Sequence, residues 1–160
     1  SFADDDAKLV LVPCSYISIL DPVLNLMSNK LNPVELVIDN DDGDLEIIDA
    51  EPESMKQVFI NLLLNACEAL EGIDKPRITI KIFTSETLSS ISFSDNGKGI
   101  PSEALASLFD IFYSSKDSSS TRGVGLAICE SVVARHNGFI DVKSIGEQGS
   151  TFTISLPRNA

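Results

Sequence analysis

Apolar and polar positions along this chain follow two periods, and the switches between them lay out the elements. Residues 14–30 carry Ile17, Leu20, Leu24 and Met27 roughly on one face, which predicts a helix that Asn32-Pro33 stops. Residues 34–38 and 45–48 read as two short strands around the turn-rich Asp39-Asn40-Asp41-Asp42-Gly43. Pro52 sits just inside a second helix, which runs to about Glu71 before Gly72. Residues 77–83 and 88–94 alternate apolar and polar side chains, predicting a hairpin with a polar turn near 85–87. A short helix is expected over 102–109 and a longer one over 123–136, stopped by Asn137-Gly138. Residues 139–142 and 151–156 read as a last pair of strands. Helices and strands alternate, yet hairpins dominate the strand order. The expectation is an α/β sandwich: a mixed, mostly antiparallel sheet with helices packed on one face.

One stretch breaks the pattern. Residues 113–122 have loop composition and no apolar anchor beyond Tyr113, so a mobile loop is expected there.

At 160 residues with 43% apolar content, the chain has the size of one domain with a sizeable core. The absence of an initiator Met and the lead-in Asp4-Asp5-Asp6 read as a domain excised from a longer protein, with no signal peptide. Cys14, Cys67 and Cys129 are odd in number and set among apolar residues, which predicts buried thiols in a reducing cytoplasm. A net charge of −12 without a basic patch argues against nucleic acid as a partner. The charge is uneven: residues 1–80 hold 16 acidic and 5 basic side chains, residues 81–160 hold 8 and 7. An anionic ligand would meet the second half, where Lys98, Lys116 and Arg122 lie near glycine-rich sequence. The acidic first half reads as a solvated surface.

Three local patterns carry chemistry. In the helix starting near Pro52, Gln57, Asn61, Asn65 and Glu68 fall on one stripe, apart from the core face of Met55, Val58, Phe59, Leu62, Leu63, Ala66 and Leu70. Asparagines are poor helix formers, and a half-buried amide must find partners. A single one would read as a bond to a neighbouring loop; Asn61, Asn65 and Glu68 together favour a site. Neutral amide oxygens suit Mg²⁺ when phosphates supply the remaining ligands. Second, Asp95-Asn96-Gly97-Lys98-Gly99-Ile100 ends a strand-like run, giving a carboxylate followed by glycines that admit close backbone approach, although Asp-Asn-Gly is also turn chemistry. Third, Gly123, Val124 and Gly125 stand where the loop becomes a helix, freeing N–H groups toward an anion. Lys116 and Arg122 could add charge-assisted bonds to phosphate oxygens.

In this order the motifs resemble those of the ATP-binding catalytic domain of two-component sensor histidine kinases, a family shared with gyrase, heat-shock chaperones and MutL. Asn61-Leu62-Leu63-Leu64-Asn65-Ala66 resembles the N box, and 95–100 the first glycine box. The run from Leu108-Phe109 through Phe112 to Lys116 resembles the phenylalanine box, 123–128 the second glycine box, and Gly149-Ser150-Thr151 the last. The resemblance implies that Asp95 accepts from the adenine amino group while Gly97 and Gly99 let backbone approach. It also implies that Ile100 and Leu126 sandwich the base and that the Thr151 hydroxyl helps. Asn65 would ligate Mg²⁺, Asn61 would orient phosphate or water, and residues 113–123 would be the ATP lid. Lys116 would reach the terminal phosphates, with Phe109 and Phe112 anchoring the lid.

The implied activity is transfer of the γ-phosphoryl of ATP to a histidine on an adjoining helical dimerisation domain, within a homodimer that signals to a response regulator. Asn61 stands where the ATPase relatives place a glutamate base, which argues for transfer over hydrolysis. Thr121-Arg122 replaces a more usual glycine-hydroxyl pair. His136, the single histidine, is not in a phosphoacceptor context and reads as a helix-end residue favoured by the dipole. An anti-sigma-type serine kinase of the same fold, and a nucleotide- or regulator-binding module without catalysis, are the alternative readings. A cytoplasmic domain is expected, and the parent protein's membrane anchoring stays open.

Overall fold

Five of the six expected strands join one sheet backed by helices. The computed structural model describes residues 9–41, 46–109 and 122–158. In chain order the elements are β1 (Val12–Cys14), α1 (Tyr16–Leu26), α2 (Ser28–Leu31), β2 (Glu35–Asn40), β3 (Ile48–Ala50) and α3 (Pro52–Ala69). They continue with β4 (Arg77–Thr84), β5 (Leu88–Asp95), α4 (Ser102–Leu105), α5 (Arg122–Arg135), β6 (Phe139–Ser144) and β7 (Ser150–Pro157). The main sheet is five-stranded in the order β2-β4-β5-β7-β6. Only the β2–β4 pair is parallel; the other three are antiparallel. The mixed, mostly antiparallel sandwich is therefore as expected.

Strand parity decides which face meets the helices. Ile78, Ile80 and Ile82 of β4, Ile91 and Phe93 of β5, and Phe152 and Ile154 of β7 join Ile19, Leu20, Phe59, Leu62, Leu63 and Val133 in one buried cluster. Phe59 of α3 stands between Tyr16 and Phe93, with ring centroids 6.4 and 5.3 Å away. Each such fully buried apolar side chain contributes about 1.5–3 kcal/mol. The opposite face carries hydroxyls: Ser90 bonds Ser155 and Ser94 bonds Thr151, each at 2.8 Å between oxygens. A sheet covered on one side only reads in this way, apolar inward and polar outward.

Helix starts follow local chemistry. Ser15 caps α1 reciprocally with Ser18: the Ser15 hydroxyl accepts from the Ser18 N–H at 3.1 Å, and the Ser18 hydroxyl from the Ser15 N–H at 3.2 Å. That box fixes the helix start at Tyr16, so residues 12–14, partly assigned to a helix from sequence, are free to form β1. β1 pairs antiparallel with β3 in a separate two-stranded sheet. The strands expected over 34–38 and 45–48 accordingly do not pair with each other; β2 runs parallel to β4 instead. The helix expected over 102–109 is helical only over Ser102–Leu105, followed by turns. Of the three thiols, Cys129 alone is fully buried, and Cys14 and Cys67 are half-buried. The expected lid segment lies outside the described residues, apart from the backbone of 122 and 123.

His136 departs from its expected role. It is buried, its Nε2 accepts the Glu51 N–H at 3.0 Å, and its Nδ1–H donates to the Val132 carbonyl at 2.8 Å. An imidazole that accepts at one nitrogen is neutral, and burial also holds its pKa below the usual histidine range. It therefore joins α5 to the start of α3 as an uncharged connector, and the helix dipole has no cation there to favour.

Candidate functional site

Three strands end side by side where α3 ends, and their last side chains form a row. Asp95, the final residue of β5, lies opposite Ser150 of β7, which lies opposite Ser144 of β6. Beyond Asp95 the chain crosses the end of α3, and each residue of the glycine loop is held there by a different contact. The Asp95 carboxylate accepts the Gly97 N–H at 2.9 Å, folding the backbone back on itself. The Asn96 amide oxygen accepts the Arg77 N–H at 2.8 Å, and its Nδ2 donates to the Lys75 carbonyl at 3.1 Å. The Lys98 N–H reaches the Ala69 carbonyl at 3.3 Å. The Ile100 N–H donates to the Ser144 hydroxyl at 2.7 Å.

Three glycines of the site leave no room for a Cβ, Gly97 against the Ala69 carbonyl and two more that also sit at positive φ. Gly99 has φ +75° and a Cβ there would overlap the Gly146 carbonyl oxygen. Gly149 has φ +94° and a Cβ there would overlap the Asp95 carbonyl oxygen. Both conformations are ones that other residues rarely adopt.

The result is a cleft of about 630 Å³, within the range of small-molecule sites. Asp95, Gly99 and Ile100 line it from the glycine loop, Asn65 and Ala69 from α3, and Ser144, Ser150 and Phe152 from β6 and β7. Asn65 is only 7% exposed and lines the cleft, and neither of its amide atoms is among the sealed side-chain atoms left without a partner. A mostly buried amide needs a partner, and here the open side is the cleft. Its remaining accessible surface faces the cleft, so the cleft is where a partner would come from. A broader depression of about 1010 Å³ lies on the uncovered sheet face, floored by Ser92, Ser94, Thr151 and Thr153. It holds neither the glycine loop nor the Asn65 amide, and the narrower cleft is the candidate site.

The structure brings most of the sequence-predicted residues together and separates a few. Asn65, Asp95, Gly99 and Ile100 share the cleft wall, with Gly97 at its back against Ala69. Asn61 lies one turn earlier on α3, beside Gly125 on α5; a Cβ on that glycine would sit 3.7 Å from the Asn61 amide carbon. The Cys129 thiol donates to the Val58 carbonyl at 3.9 Å, and burial pushes its pKa up to about 11 despite the nearby Asn61. Leu126 is 2% exposed and belongs to the core cluster, not to the described cleft wall. Glu68 is exposed on α3 and lies outside the lining. Thr151 faces the uncovered side of the sheet, hydrogen-bonded to Ser94, and the hydroxyl beside Asp95 is that of Ser150. Phe109 is half-buried and meets Phe152 edge-on with centroids 6.4 Å apart, a packing role. Gly123 and Val124 lie in the first turn of α5, which begins at Arg122. Phe112 and Lys116 lie outside the described residues.

Sequence reading missed Ser144, Ser150 and Phe152. The signal was parity: alternate residues of β7 share a face, so Ser150 and Phe152 go together and Thr151 goes the other way. Among the described residues no group of three or more His, Cys, Asp or Glu side chains is placed to hold a metal ion. No helix of the described residues is long and apolar enough to cross a membrane.

Comparison with known proteins bears on this geometry. Residues 50–160 match the family model described as histidine kinase-, DNA gyrase B- and HSP90-like ATPase. The signal transduction histidine-protein kinase AtoS of Escherichia coli K12 is 38% identical over 118 residues, which are 74% of this chain and 19% of AtoS. The sensor histidine kinase ZraS of the same strain is 34% identical over 145 residues, 89% of this chain and 30% of ZraS. The chain thus spans under a third of the length of these relatives. Among solved structures, the nucleotide-free catalytic domain of the histidine kinase ThkA superposes with a TM-score of 0.81 at 26% identity, covering 94% of this chain and 99% of that one. ThkA has also been solved in complex with the response regulator TrrA, and that kinase chain matches with a TM-score of 0.76.

Proposed function

This chain belongs to the histidine kinase-, DNA gyrase B- and HSP90-like ATPase family, and from that premise we propose that it binds ATP with Mg²⁺ in the cleft and directs the γ-phosphoryl to a histidine on an adjoining helical dimerisation domain. The carrying observation is that one cleft is lined by both the Asp95 carboxylate and the Asn65 amide. Asp95 accepts from the adenine amino group, which selects adenine over guanine. Ile100 covers one face of the base, and Gly97 and Gly99 admit the backbone. Ser150 takes the hydroxyl role first assigned to Thr151.

The residues fit a magnesium ion at the other end. The Asn65 amide oxygen is a hard donor in the cleft lining, and phosphate oxygens and water would complete the set. When bound, the ion neutralises phosphate charge during transfer. Asn61 orients a terminal phosphate oxygen. The N–H groups of Gly123, Val124 and Gly125 at the start of α5 face the phosphate chain, and Lys116 and Arg122 add cationic contacts. No carboxylate base stands on α3 at Asn61, which favours transfer to a histidine over hydrolysis. The acceptor lies outside this chain: its single histidine, His136, is buried with both ring nitrogens engaged. A response regulator would then take the phosphoryl group from that acceptor.

Titration calorimetry with ATP, ADP and GTP, with and without Mg²⁺, tests the site. Adenine preference that Asp95→Asn removes is the expected result; equal binding of all three nucleotides would overturn the assignment. Incubation with the dimerisation domain in trans and labelled ATP tests the transfer. Acid-labile label on its histidine is expected, and acid-stable label would point to a serine kinase instead.

A further inference from the structure

Ser144 belongs to no motif of the sequence, yet three segments of the site meet at its hydroxyl. The Ile100 N–H donates to Ser144 Oγ at 2.7 Å. Ser144 Oγ donates to the Gly149 carbonyl at 3.0 Å. The Ser150 hydroxyl approaches Ser144 Oγ at 3.4 Å. A hydroxyl has one proton to give and two lone pairs to accept with. All three capacities of Ser144 are used within the protein, so none remains for a ligand.

The strand ladders pair Asp95 with Ser150 and Ser150 with Ser144, and these bonds extend that register to the loop that follows β5. Ile100 ends the glycine loop after β5, Gly149 ends the β6–β7 turn, and Ser150 opens β7 beside Asp95. The two loops also touch backbone to backbone, at Gly99 against Gly146 and at Gly149 against Asp95. Such contact is tight but undirected, and the hydroxyl supplies the direction.

We propose that Ser144 is a positioning residue for the nucleotide: its hydroxyl ties the glycine loop to the β6–β7 turn and fixes Asp95 and Ile100 in their binding arrangement before a ligand arrives. The proposal rests on the ATP reading of the cleft. It concerns the base end only, so the metal-dependent end should not feel its loss.

Ser144→Ala leaves the Ile100 N–H without an acceptor. An orphaned, partly buried donor of that kind corresponds to about tenfold in an equilibrium constant. The experiment compares wild type, Ser144→Ala and Ser144→Thr by amide hydrogen exchange without nucleotide and by ADP titration with and without Mg²⁺. In Ser144→Ala the Ile100 amide should exchange about tenfold faster, and ADP affinity should fall by a similar factor whether or not Mg²⁺ is present. Ser144→Thr keeps the hydroxyl and should recover both. A merely structural role would lower the melting temperature of Ser144→Ala while its folded protein bound ADP as wild type does, and that outcome overturns the proposal. An unchanged Ile100 exchange rate overturns it as well. Wild type that bound no ADP would overturn the nucleotide reading first, and the positioning role with it.

Discussion

Asn65→Ala should make the ligand-free protein more stable while weakening the nucleotide complex. Truncating a buried residue ordinarily destabilises by opening a cavity. Here the side chain already faces a cleft, so no sealed void is created. Asn is also a poor residue for the interior of α3, and replacing it with Ala gains about 0.5 kcal/mol in helix propensity. The side chain is 7% exposed at the cleft, and its amide atoms are not sealed from water. Water hydrates the amide there, so its removal adds little beyond the propensity gain. The result is a stabilisation of about 0.5 kcal/mol, which for a domain of this size raises the melting temperature by about 1–2 °C. The order should invert with nucleotide: at a hundredfold excess over its dissociation constant, ligand adds about 2.7 kcal/mol to wild type. Thermal unfolding with and without Mg²⁺-ATP reads both effects. If ligand-free Asn65→Ala melts clearly below wild type, the side chain supports the fold and the argument for its role as a ligand contact fails.

The remaining expectations concern connectors, glycines and thiols. Because burial depresses the folded-state pKa of His136, the unfolded chain takes up the proton first. Its contribution is therefore complete above the unfolded pKa of about 6.5 and is lost as pH falls toward the folded value; urea midpoints between about pH 7.5 and about pH 5.5 should decline, and His136→Gln should flatten that decline. Gly149→Ala places a methyl group on the Asp95 carbonyl at positive φ and should cost at least about 2 kcal/mol by chemical denaturation. At Gly125 a Cβ would meet Asn61 only at ordinary contact distance, so Gly125→Ala should fold at least as stably, gaining up to about 1 kcal/mol in α5, and lose nucleotide affinity if backbone approach is what the glycine provides. Cys129, buried with its pKa raised to about 11, should resist iodoacetamide at neutral pH until unfolding, whereas Cys14 and Cys67 react in the native protein; rapid native labelling of all three thiols would contradict the packing.

What could be read from sequence was local, and what could not depended on pairing. Asp95, Gly97 and Gly99 are legible because a carboxylate and two glycines within five positions restrict the chain whatever surrounds them. The asparagine stripe is legible because helical spacing alone puts Asn61 and Asn65 on one face. Ser144 and Ser150 gain meaning only when β5, β7 and β6 lie side by side, and that order is not written in any one of them. Thr151 shows the cost of one position: parity sends it to the far face, and the same motif read one residue earlier gives the cleft hydroxyl. β1 was hidden because three residues containing a proline pair only with β3, far along the chain. The neutral state of His136 is set by an N–H 85 residues away.

The order of the sheet also has a consequence for how the protein comes to be made. β7 is the last strand of the sheet in chain order, yet it lies between β5 and β6. Until residues 150–157 emerge during synthesis, β5 keeps an open edge, β6 has no neighbour in the sheet, and the cleft lacks the wall formed by Ser150 and Phe152. A chain that is interrupted or clipped before Ser150 retains the N box and the first two glycine motifs but has no finished pocket. The cleft is thus complete only once the last strand of the sheet is in place.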